Sequence, residues 1–92
     1  MAITVKLPTQ LRDATGGAAQ VRGEGATVGE VLEALYAKHG DLRARLADDD
    51  GGLRRFVNVY LDGEDIRFLD GLGTPVKDGD ELTVLPAVAG GA

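Results

Sequence analysis

A chain of 92 residues is enough for one small domain with one modest core, burying a little over ~60% of the surface its unfolded form exposes. With 43% hydrophobic but only 4% aromatic residues, that core is built mainly from Leu, Val, Ile and Ala. The 15 acidic and 10 basic residues leave a net charge of −5, which repels phosphate backbones and favours protein partners with basic surfaces; nucleic acid is excluded as a partner. The absence of cysteine removes disulfides, thiolate metal sites and cysteine nucleophiles. No apolar run approaches the ~18 residues of a membrane span, and the polar start of the chain does not read as a signal peptide, so a cytoplasmic protein without membrane contact is expected.

Ile3, Val5 and Leu7 alternate with Thr4 and Lys6, the period of a half-buried strand. Pro8 to Gly17 turns the chain, and Ala18 to Arg22 returns as a second strand of a long-looped hairpin. Gly23-Glu24-Gly25 is expected to break it. Thr27, followed three residues later by Glu30, forms a capping box. Val28, Val31, Leu32, Leu35 and Tyr36 then trace one buried helical face, with Gly40 as the expected left-handed stop. Asp41 is placed as the cap of a further short helical turn that carries Leu42 and Leu46.

Asp48-Asp49-Asp50-Gly51-Gly52 reads as a solvated acidic loop, since it lacks the ligand spacing and distal Glu of a calcium loop. Arg55 to Leu61 is the strongest strand, with Val57, Val59 and Leu61 on one side and Phe56, Asn58 and Tyr60 on the other. Asp62-Gly63 is the preferred dipeptide of a tight hairpin turn, after which Glu64 to Phe68 is expected to pair back. A connection over 70–75 and a turn over 76–81 lead into a last strand, Leu82 to Leu85, which Pro86 should stop. One amphipathic helix needs one sheet face, so the fold class is α+β in two layers, with a domain over 1–85 and a flexible tail over 86–92.

Catalytic constellations are nearly absent. His39, the only histidine, sits at a helix end, where it suits the negative end of the helix dipole, and no second His or Cys completes a zinc or nucleophile–base site. Gly16-Gly17 and Gly51-Gly52 lack the pattern of a phosphate loop. The chain is therefore read as a non-enzyme with no metal site. An outward apolar set, Phe56, Tyr60, Leu85 and Pro86, is the expected partner-binding patch.

The tail carries the remaining signal. Val88, Ala89, Gly90, Gly91 and Ala92 offer almost no side chain, and Leu85 to Gly91 reaches roughly 20 Å when extended at about 3.3 Å per residue. Such a strip passes its carbonyl into a narrow partner site where any side chain would clash.

The order of elements and the ending Val84-Leu85-Pro86-Ala87-Val88-Ala89-Gly90-Gly91 resemble the ubiquitin-like β-grasp sulfur carriers of the ThiS/MoaD family, over essentially the whole chain. Arg55-Phe56-Val57-Asn58-Val59-Tyr60-Leu61 and Glu64-Asp65-Ile66-Arg67-Phe68 look most like its actinobacterial CysO branch, which serves cysteine synthesis. The resemblance implies a β-grasp sheet of four to five strands on one main helix. It also implies that Gly91 is adenylated by an E1-like activating enzyme using ATP, with sulfur displacing AMP to leave a thiocarboxylate. The chain itself would hold no cofactor. A PLP-dependent cysteine synthase would receive the sulfide. Because the chain ends in Ala92 rather than at the diglycine, a JAMM-type zinc metallopeptidase is expected to remove that residue. The alternatives are a molybdopterin synthase small subunit, a sulfur donor for a thio-containing secondary metabolite, and, in another class, a ubiquitin-like modifier.

Overall fold

In the computed structural model, which describes residues 2–50, 52–54 and 57–86, the alternation at the start of the chain becomes strand β1 (Ala2–Lys6), with Ile3 and Val5 fully buried. A 3₁₀ helix, Thr9–Thr15, follows within the expected turn and buries Leu11. Strand β2 (Gln20–Glu24) pairs antiparallel with β1. Gly23 therefore does not break the chain. A Cβ there would come within 2.7 Å of Val31 Cγ1, so glycine is required because the helix above packs against the strand at that point.

That helix, α1 (Val28–Lys38), buries all of its predicted stripe: Val28, Val31, Leu32, Leu35 and Tyr36. Its capping box is present, with Thr27 Oγ1 accepting from Glu30 N at 3.2 Å. Glu30 Oε1 reaches one residue further back than the usual box and accepts from Ala26 N at 2.9 Å. Gly40 is not a left-handed stop. The chain turns at His39 (φ −132°, ψ 80°), and Gly40 opens helix α2 (Gly40–Leu46). Asp41 is not the cap either, since His39 takes that position with no side-chain bond and Asp41 lies in the first turn. Leu42 and Leu46 are buried as expected. Arg45 of α2 grips the Asp13 carboxylate with both terminal nitrogens, at 2.7 and 2.9 Å, tying the first 3₁₀ helix to the second helix and holding the Asp13 carboxyl below its ordinary pKa. Tyr36, close under Arg43, has its phenol pKa pushed up to about 12 by burial and by the charge of Glu33, which the Arg43 charge only partly offsets.

Strand β3 (Val57–Leu61) points Val57 and Val59 into the core, with Leu61 packed at its margin. Asp62 (φ 49°) and Gly63 (φ 93°) take the paired left-handed conformations of a tight hairpin turn. The returning strand is shorter than expected: β4 is Glu64–Asp65 alone. The Asp65 carboxylate accepts from Arg67 N at 2.9 Å and winds Ile66–Phe68 into a 3₁₀ turn, which buries Ile66 and leaves Phe68 85% exposed. A second 3₁₀ turn (Gly71–Gly73) leans on α1 where Gly29, lacking a Cβ, lets Leu72 approach. Main-chain bonds Val28 N to Thr74 O and Val76 N to Ala26 O, each 3.0 Å, stitch this segment to the helix start.

Strand β5 (Glu81–Pro86) enters the middle of the sheet, parallel to β1 and antiparallel to β3. The resulting five-stranded order is β2-β1-β5-β3-β4, the β-grasp arrangement. It places the last strand of the chain at the centre of the sheet, with Leu82 and Val84 fully buried. The end of the chain thus leaves from the best-held strand. No helix is long and apolar enough to cross a membrane among the described residues.

Candidate functional site: the root of the C-terminal tail

The cross-strand register fixes what surrounds the point where β5 ends. Tyr60 lies opposite Thr83, Asn58 opposite Leu85, and Val57 opposite Pro86. Asp62 N donates to Glu81 O at 2.9 Å, which sets the alternation of the ladder: Tyr60–Thr83 and Asn58–Leu85 are hydrogen-bonded pairs, and Val57–Pro86 is not. Pro86 therefore occupies a position that asks no N–H of it. This is why the strand runs one residue past Leu85 before proline ends it.

Val84 points into the core and Leu85 points out, 44% exposed, on the face away from α1. Tyr60, half-buried, shares that face as the diagonal neighbour of Leu85, a spacing of about 7–8 Å that an aromatic ring spans. Asn58 and Thr83 sit between and beside them, so the face at the tail root is mixed rather than uniformly apolar. Lys6, opposite Thr83 on β1, adds a cation held by Glu81 at 3.3 Å. Asn58, Thr83 and Lys6 join the site only through register between strands distant in sequence, and no local signal marks them. On the other edge Arg67 Nη2 donates to Val57 O at 3.1 Å, closing the carbonyl that the short β4 leaves uncovered.

Of the residues predicted from sequence, Tyr60 and Leu85 are brought together here. Phe56, Val88, Ala89, Gly90, Gly91 and Ala92 lie outside the described residues, and of Pro86 only the backbone is described. Asp48, Asp49 and Asp50 are exposed, with Asp48 and Asp50 accepting from backbone N–H groups of their own loop. No group of three or more His, Asp or Glu side chains gathers to hold a metal among the described residues.

A central strand that delivers a side-chain-poor ending from a β-grasp body has clear counterparts among known proteins. The ThiS family profile matches residues 5–91. The chain belongs to the ThiS family. It is 48% identical to the sulfur carrier protein CysO of Mycobacterium tuberculosis, over 99% of this chain and 100% of that protein. The crystal structure of the Amycolatopsis orientalis BexX/CysO complex superposes with a TM-score of 0.89 at 50% identity, covering 97% of this chain and 99% of the matched one. The SAMP1 crystal structure from Haloferax volcanii, a small archaeal modifier protein, matches at a TM-score of 0.85 and 36% identity, over 99% of this chain and 100% of the other. This ThiS-family chain is a small ubiquitin-like sulfur carrier rather than a catalyst.

Proposed function

We propose that the chain carries sulfur as a thiocarboxylate on Gly91, exposed by removal of Ala92, and donates it as sulfide for cysteine biosynthesis in the cytoplasm. The observation that carries this reading is the full-length likeness to the sulfur carrier CysO, combined with a central strand whose continuation past Pro86 is almost free of side chains. An E1-like enzyme couples the Gly91 carboxylate to ATP, forming an acyl-adenylate and releasing pyrophosphate. A sulfur nucleophile then displaces AMP. Leu85, Tyr60 and Pro86, with Phe56, form the docking surface for these partners, and the residues after Pro86, up to Gly91, are the part that enters their sites. A PLP-dependent cysteine synthase accepts the sulfide, and a JAMM-type zinc metallopeptidase cuts between Gly91 and Ala92. The chain itself holds no cofactor.

Intact-mass measurement of the protein purified from its own cells tests both steps. The expected species lacks one alanine and carries sulfur in place of one oxygen at Gly91. Full-length protein that is nonetheless thiocarboxylated removes the trimming step. Protein trimmed to Gly91 that gains no sulfur when incubated with its activating enzyme, ATP and a sulfide source removes the carrier reading.

Two further readings have observations behind them. The likeness to SAMP1 supports a modifier that joins Gly91 to lysines of other proteins. An immunoblot ladder in cell extracts favours it, whereas a single band with the sulfur mass gain favours the carrier. The BexX/CysO complex has CysO bound to a protein, BexX, which leaves room for another sulfur acceptor, such as the maker of a thio-containing metabolite.

A further inference from the structure

The two edges of the sheet are finished differently. The β4 edge is two residues long, and the Arg67 guanidinium closes the Val57 carbonyl beyond it. The β2 edge is five residues long and carries no such cover among the described residues. Leu7 N donates to Ala19 O at 2.8 Å, and Lys6 lies opposite Gln20. This parity turns the backbone groups of Val21 and Gly23 toward β1 and those of Gln20, Arg22 and Glu24 outward. Arg22 and Glu24 are exposed, and neither has an ion pair among the described residues.

We propose that the β2 edge is a self-association surface whose occupant is the β2 strand of a second copy, paired antiparallel about a two-fold axis at Gly23. In that register Arg22 of each copy faces Glu24 of the other. Both residues have outward backbone groups, so each such pair exchanges both of its main-chain hydrogen bonds and sets opposite charges side by side. Gly23 meets its own copy on the axis, where the strands approach most closely and a side chain would crowd. Of the other symmetric registers that the parity allows, those centred on Arg22 and on Glu24 set like charges against each other, and the one centred on Val21 faces Arg22 with uncharged Gln20. Charge complementarity therefore favours the Gly23-centred alignment, the one that pairs Arg22 with Glu24. A depression of about 380 Å³ beside this edge, lined by Ala2, Thr4, Gln20, Arg22 and Asp78, gives room to the side chains that meet there. Pairing ends at Glu24, because Ala26 spends its N–H on Glu30 Oε1 and its carbonyl on Val76 N. Strand β5 lies two places in from this edge, so pairing leaves the tail root uncovered.

Each copy carries −5, so association is read at ~0.15 M salt, where repulsion beyond about 8 Å is screened while the facing pairs stay closer than that. Sedimentation velocity of the full chain over roughly 10 μM to 1 mM is expected to show a monomer–dimer equilibrium that grows with concentration. Arg22→Glu alone, or Glu24→Arg alone, sets like charges opposite each other and weakens the dimer about tenfold or more. An equimolar mixture of the two single variants, and the Arg22→Glu/Glu24→Arg double variant, each restore it. Circular dichroism of every variant should match the parent, since both positions are exposed. A parent chain that stays monomeric across the range overturns the proposal. So does a dimer that survives both single exchanges, which would place the contact on another face, or a double variant that fails to recover.

Discussion

The two ends of β5 are held in opposite ways. At the Glu81 end, fasteners converge: Asp62 N donates to Glu81 O, Glu81 N donates to Asp62 Oδ1 at 3.0 Å, Thr4 N donates to Asp80 O, and Ala2 N donates to Asp78 Oδ1 at 2.7 Å. The Lys77–Asp80 turn closes on itself there, with Gly79 at φ 89°. At the Pro86 end the ladder stops at the Asn58–Leu85 pair, and no strand of the described residues continues beside the chain. The contrast teaches how one strand serves as both keystone and launch point. It is clamped where it begins and central along its length, and its hydrogen-bonded ladder ends at Leu85, beside a proline whose position asks for no donor.

The sharpest break in that comparison is removal of Gly90-Gly91-Ala92. Sulfur loading, followed by mass spectrometry, should fall to background while thermal unfolding stays unchanged, because β5 keeps every rung of its ladder. A loss of stability on truncation would mean that the tail belongs to the body. Leu82→Ala acts on the clamped part: deleting a fully buried side chain from the central strand should cost ~2–5 kcal/mol in denaturant unfolding. Leu85→Glu probes the exposed neighbour just before the release point. Its unfolding midpoint should barely move, yet the rate of thiocarboxylate formation by the activating enzyme should drop about tenfold as an interface anchor is lost. An unchanged rate would move the docking surface elsewhere.

The smallest effect lies at the clamp itself. The Glu81 N–H pulls the Asp62 carboxyl pKa down, but burial, the hydrogen bond with Asp80 and the charges of Asp80 and Glu81 outweigh it, leaving the value raised. The folded chain thus binds this proton more tightly than the unfolded one. Its contribution to stability is full below the ordinary value of 3.8 and is lost as pH rises through the raised folded value. Asp62→Asn keeps an acceptor for Glu81 N and tolerates the positive φ, so at neutral pH it should be neutral or stabilising, within about 0.5 kcal/mol. It should also flatten that part of the stability–pH profile measured by thermal melts. A variant clearly less stable than the parent at neutral pH would show that the charge itself holds the clamp.

The β-grasp order was legible because each long element carries a local signature: alternation in β1 and β3, the 3.6-residue stripe of α1 with its Thr27–Glu30 box, and the Asp62-Gly63 turn. Legibility failed at glycines and at short elements. Gly23 looked like a break because the sequence does not record that Val31 presses on it from another element. Gly40 looked like a left-handed stop, but the break falls one residue earlier, at His39, and Gly40 opens a second helix that buries Leu42 and Leu46. Phe68 fell outside any strand because Asp65 competes locally for the Arg67 N–H. The site was half legible: Leu85 and Tyr60 announce themselves as outward apolar residues, whereas Asn58, Thr83 and Lys6 do not.

By itself the sequence determined which residues bury, where the principal helix begins, how the β3 hairpin turns and that the chain ends almost without side chains, since periodicity, capping and turn conformations are local properties. Only the tertiary structure decided that the last strand sits at the centre beside the first, and which side chains therefore neighbour its end. That placement also settles which edge of the sheet is capped by a guanidinium and which is open. Pairing between strands some 75 residues apart depends on long-range register, which no local pattern encodes.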